Sequence, residues 1–167
     1  MEKFQLLRDQ AKKTLHNADH MLTMTYPMLN ENKLLLLVLT NIGLSVEQAM
    51  SSVLEYELLF KRIPLHPDTF EAKFAIFRDK VAKKYKIDSK HINMIISLRE
   101  LTVAHRDSAV EFARKDKYIV ANSNFELKTL SPRLLKDYVS KAKLFVDEMY
   151  RITDQNDGIF TGQQRRT

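Results

Sequence analysis

The chain has 167 residues, enough for one domain whose core needs no covalent staples. It contains no cysteine, which excludes a disulfide framework, a thiol nucleophile, a zinc finger and an iron–sulfur centre. Three glycines and four prolines leave no material for a glycine-rich phosphate loop and argue against a turn-rich sandwich or barrel. Lysine and arginine number 27 against 21 acidic residues, a formal charge of +6, and the excess is uneven. Residues 1–60 hold five basic and seven acidic side chains, and the remainder holds 22 and 14. A basic C-terminal part points to an anionic partner such as RNA, DNA, nucleotide or an acidic protein surface.

The first helix is expected from about residue 2 to Thr23, fraying before Tyr26-Pro27 because proline disfavours helical geometry in its predecessor. No signal-peptide pattern opens the chain. Asn30 or Asn32 is expected to cap a long second helix reaching Lys61. Its run Leu34-Leu35-Leu36-Leu37-Val38-Leu39 is interrupted by Asn41, Ser45, Glu47 and Gln48, short of the roughly 20 apolar residues that span a bilayer. It therefore reads as a central bundle helix of a cytoplasmic protein with no membrane partner, and Gly43 within it marks a close helix crossing.

Ile63-Pro64-Leu65-His66-Pro67-Asp68 is a stiff connection, with Asp68 or Thr69 capping a third helix to about Lys86. On a regular helix Phe70, Phe74, Phe77 and Val81 share one face, and Lys73, Lys80 and Lys84 form a second stripe suited to a nucleic-acid backbone. A fourth helix is expected from Ser89 to Lys115. β-formers around Asn122-Ser123-Asn124 predict a short hairpin over 118–129. Ser131-Pro132 is a helix start, a capping serine followed by proline at the first helical position. The fifth helix presents Leu135, Tyr138, Ala142, Phe145 and Met149 on one face and ends near Thr153, leaving 154–167 as a polar tail. The expected architecture is all-α: an up-and-down antiparallel bundle of about five helices over residues 1–153, with a hairpin before the last helix.

His16 and His20, four apart on the first helix, have the spacing of a bundle metal site, but no Glu-x-x-His or His-Glu-x-x-His pattern accompanies them, and neither metal nor cofactor is expected. The fourth helix is the richest in chemistry: Ser97-Leu98-Arg99-Glu100-Leu101-Thr102-Val103-Ala104-His105-Arg106-Asp107. Arg99 and His105 diverge by about 120° around a regular helix and by about 9 Å along it. They do not form a contacting pair on one straight helix, but two copies facing each other across a dimer axis bring such residues together.

The stretch from Leu98-Arg99-Glu100 to Ala104-His105 resembles the Arg-x(4–6)-His signature of the HEPN family (higher eukaryotes and prokaryotes nucleotide-binding domains). The layout is similar too: an all-helical bundle, a long helix ending in Glu47-Gln-Ala … Glu55-Tyr-Glu-Leu-Leu-Phe-Lys61, and the signature late in the chain. The likeness covers residues 1–153 as architecture and 98–107 as motif.

The resemblance implies a homodimer with two Arg/His pairs at the interface, acting as a metal-independent endoribonuclease of the kind found in toxin–antitoxin pairs. Its other implication is a non-catalytic module that binds nucleotide or pairs with a nucleotidyltransferase-type protein. Carried over, Arg99 is the motif arginine and His105 the motif histidine. Glu100 stands where the family usually has asparagine, aspartate or histidine, which makes it the third candidate catalytic residue. The chemistry agrees with those residue types. Attack of a ribose 2′-hydroxyl on the adjacent phosphate needs a group that exchanges protons near neutrality, and it needs fixed positive charge on the developing oxyanions. Histidine and arginine supply these. Arg106, Lys73, Lys80 and Lys84 are the candidate backbone-binding residues.

Overall fold

The computed structural model describes the backbone of residues 1–114 and 130–155 and the side chains of 1–105 and 130–155. The chain forms an all-α bundle of five helices, with no strand among the described residues. We label them α1 (3–29), α2 (Asn32–Leu59), α3 (70–84), α4 (Ser89–Arg114) and α5 (Pro132–Asp154). The hairpin expected at 118–129 and most of the expected polar tail lie outside the described residues.

Helix α1 continues past the proline expected to stop it. Its α-helical part, Lys3–His20, passes into a π turn, Met21–Thr25, and a last α turn, Tyr26–Leu29. The wide turn is closed by the Tyr26 N–H donating to the Met21 carbonyl, five residues back. Pro27 then follows as an early residue of the last α turn, where a missing N–H costs little. The helix ends at Asn30, whose φ of 51° is the left-handed conformation asparagine tolerates. Asn30 therefore closes α1 rather than opening α2, and the residue before α2 is Glu31, which makes no side-chain cap bond.

Helix α2 is the axis of the bundle, packed against α1, α4 and α5. Its length and a mean hydropathy of 1.5 over its most apolar window would suit a membrane span, a property the leucine run alone understated. Half of that window is buried inside the bundle. Val38, Ile42, Met50 and Val53 are wholly enclosed. The Ser45 hydroxyl, also buried, donates to the Ala11 carbonyl of α1 at 2.7 Å. Helix α5 begins as expected, with the Ser131 hydroxyl accepting from the Leu134 N–H at 3.1 Å. Its apolar face, Leu135 through Met149, is buried. Each such side chain contributes about 1.5–3 kcal/mol on leaving water.

The departure from simple up-and-down topology is at α3. The Ile63–Thr69 connection doubles back along α2, bringing His66 and Asp68 beside Ser51 and Glu55. Helix α3 then runs alongside α2 in the same direction, since Lys73 pairs with Glu47 and Lys84 with Glu57. Thr69 caps it, accepting from the Ala72 N–H at 3.2 Å. A second π turn, Phe77–Val81, puts the residues after it out of register with a regular helix, and the expected single apolar face is not uniformly buried. Phe77 and Val81 are buried, whereas Phe70 and Phe74 are half-buried.

Candidate functional site

Helices α2 and α4 diverge enough to leave an open cleft of about 430 Å³ between them. Leu36, Thr40, Gly43, Leu44 and Glu47 line it from α2, Leu98, Arg99, Thr102 and His105 from α4, and Phe70 from α3. Gly43 sets the closest approach, because a β-carbon there would stand 3.4 Å from the Thr102 hydroxyl. That is the crossing its position in the sequence suggested. Thr40 and Thr102 spend their hydroxyl protons on their own helices, donating to the Leu36 and Leu98 carbonyls at 2.9 and 2.7 Å.

Arg99 and His105 both line this cleft within one chain. Arg99 stands at the end near Glu47 and Phe70, its guanidinium 4.5 Å from the centre of the Phe70 ring. One of its N–H groups donates to Glu71 Oε1 at 3.4 Å. The side chain is 31% exposed, so the charge stays in contact with solvent while the ring holds its plane. His105, one turn beyond Thr102, is only 2% exposed and forms part of the inner wall. The 120° divergence on α4 is accommodated because the cleft wraps around the helix rather than lying along one stripe.

The other sequence candidates are dispersed. Glu100 is exposed and is not among the cleft residues. Arg106 continues α4, with its side chain outside the described residues. The lysine stripe of α3 does not act as a unit. Lys73 is 16% exposed and lies between Asp68 at 2.7 Å and Glu47 at 3.7 Å. The bond from Lys73 holds the Asp68 carboxyl below the usual carboxylate range. Lys80 lies on the exposed side of the π turn. Lys84 donates to Glu57 at 2.9 Å. His16 and His20 are both exposed, and no group of three potential metal ligands occurs among the described residues.

Set against protein-family models, curated proteins and solved structures, the chain matches none.

Sequence reasoning missed two features. One is Glu57, 1% exposed, which accepts from Lys84, from Arg62 Nη1 at 3.3 Å and, through a short hydrogen bond, from the Tyr85 hydroxyl. Burial, together with that carboxylate, raises the Tyr85 hydroxyl well above the usual phenol range. The other is Arg78, which reaches back over the Phe74 ring at 5.7 Å. Its neighbour Phe74 drew notice only as part of an apolar face. Arginine four residues after an aromatic on a helix is the local signal that marks such a pair.

Proposed function

We propose that this chain is a HEPN-like, cytoplasmic module that binds RNA in the cleft between α2 and α4. The observation that carries the reading is that Arg99 and His105, singled out together from the sequence, line one cleft. In it, apolar walls from Leu36, Leu44 and Leu98 suit the faces of a base, and Arg99 supplies a fixed cation for a phosphate. The excess of basic residues beyond residue 60 supports an anionic ligand. Isotope-labelled protein titrated with a short single-stranded RNA tests this directly. Amide shifts are expected at Gly43, Leu44, Arg99 and Thr102. Shifts confined to other faces of the bundle, or none at all, overturn it.

A second reading, RNA cleavage by a homodimer, is favoured by the pairing of an acid–base side chain with a cation in the same cleft. His105 would exchange the proton of the 2′-hydroxyl and Arg99 would bear the charge developing on the phosphate. The burial of His105 favours binding over turnover as the resting property of one protomer. The alternative of a non-catalytic module paired with a nucleotidyltransferase-type protein uses the same cleft. Incubating a mixed RNA pool with wild-type and His105→Ala protein in excess chelator separates them. Cyclic-phosphate products from the wild type alone support cleavage. Binding without products supports the module.

A further inference from the structure

The cleft does not end at Phe70. Phe70 and Phe74 stack nearly parallel, with ring centres 5.8 Å apart and planes inclined by 6°. The Arg99 guanidinium lies over the first ring and that of Arg78 over the second. Arg99, Phe70, Phe74 and Arg78 thus make a continuous cation–ring–ring–cation strip along α3, and its first ring is also a wall of the cleft.

Phe70 and Phe74 are half-buried, while the next aromatic on the helix, Phe77, is wholly buried and edge-on to Phe145. A π turn begins there, and the Arg78 side chain in it is 50% exposed. Wide turns of this kind often mark functional stretches of a helix.

Two carboxylates keep the guanidinium planes in place. Glu71 accepts from Arg99, and Asp79 accepts from Arg78 Nε at 2.9 Å and Nη2 at 3.4 Å. The Arg78 bond holds the Asp79 carboxyl below the usual range. Glu71 and Asp79 are themselves 77% and 56% exposed. Ion pairs so open to water contribute little and yield readily to a competing phosphate. An arginine braced on a ring keeps its outward N–H groups for such an anion and offers its own plane to a base.

Resting on the RNA-binding reading above, we infer that this strip is a stacking surface for single-stranded RNA that continues out of the cleft. Arg99 and Arg78 take phosphates at their N–H edges, and bases stack on the outer guanidinium planes that the two rings brace. Alternating aromatic and cationic side chains is the chemistry of single-strand recognition, tolerant of sequence because every base has a flat face. A duplex, whose bases are already stacked on one another, cannot use it.

The test is binding of fluorescein-labelled oligouridylate, and of a duplex RNA as control, to the full chain with Phe74→Leu, Arg78→Gln or Arg99→Gln. Phe74→Leu keeps the apolar volume and removes the ring, and it is expected to weaken single-strand binding by fivefold or more while leaving duplex binding unchanged. Arg78→Gln, at an exposed position that does not threaten folding, is expected to lower the slope of log affinity against log salt by about 0.7. If both variants bind like wild type while Arg99→Gln is weakened, the strip is overturned and the cleft stands. A wild-type chain that binds neither RNA at low salt overturns both.

Discussion

Glu57 ties α3 to α2 through a single buried carboxylate. Three donors from two other segments, Arg62 in the connection and Lys84 and Tyr85 at the end of α3, converge on it. Replacing it by glutamine keeps the shape and removes the charge that holds the two cations. The expected loss is about 1–3 kcal/mol, measured by denaturant unfolding. The two cations are partly exposed and regain water, so the cost stays below that of stranding a fully buried charge. Tyr85 adds a pH signature. Its hydroxyl pKa is higher in the folded chain than the value of about 10 in the unfolded one. The stabilisation is therefore complete below pH 10 and lost as pH rises further, since only the unfolded chain then releases the proton. The stability difference between wild type and Tyr85→Phe should hold constant up to about pH 9 and shrink above it; a constant difference through pH 11 would show that the hydroxyl is not held this way. At this scale Arg99 and His105 were legible because their chemistry is specific wherever they sit. Arg78 and Phe74 were not, since an aromatic face on a helix ordinarily means core.

The helices follow their end signals. Ser131 and Thr69 cap α5 and α3 as their positions promised, because a hydroxyl next to the first free N–H groups acts locally and needs no tertiary partner. Signals that depend on distant contacts were less legible. The hydrophobic period of α1 continues through Pro27, but only the π turn reveals how the backbone accommodates it. The return of the Ile63–Thr69 connection along α2 brings Lys73 to Glu47 of α2 at 3.7 Å, a tertiary contact that no local spacing announces. Helices α2 and α3 end alike, at Lys61 and Lys86, with φ of 55° and 52°. In each, the next N–H bonds a carbonyl five residues back, Arg62 to Glu57 and Ile87 to Ala82, both at 2.9 Å. A side chain in that conformation is strained, so Lys86→Gly should stabilise the chain by about 0.5–1 kcal/mol, read from the denaturant midpoint. Unchanged or lower stability would mean that the Lys86 side chain compensates. Gly43 has the opposite character. It is mid-helix with ordinary dihedrals and room for a methyl at van der Waals distance from Thr102. Gly43→Ala should stabilise α2 by up to about 1 kcal/mol, and a loss of stability would mean that the crossing with α4 is tighter than its 3.4 Å spacing implies.

Across the molecule, α1, α2 and α5 form the packed core, and α3 and α4 build the open cleft against it. Polar contacts between distant segments tie α1 to α5. Buried Arg8 donates to Thr153 at 3.2 Å and lies over the Tyr150 ring, and Lys143 pairs with Asp19 at 2.9 Å. The all-helical architecture was legible from composition and periodicity, because a chain with few glycines and long apolar stripes has few other ways to bury them. The cleft was not, because it arises from how two distant helices pack. The proposed RNA binding rests on that cleft, and a change in its wall tests it. Fluorescence anisotropy of a labelled single-stranded RNA should show salt-sensitive binding to wild-type protein, and Thr40→Glu, which puts a like charge on an exposed wall of the cleft, should lose it by tenfold or more with its thermal stability intact. Equal binding by a folded Thr40→Glu protein would contradict the assignment of RNA to the α2–α4 cleft.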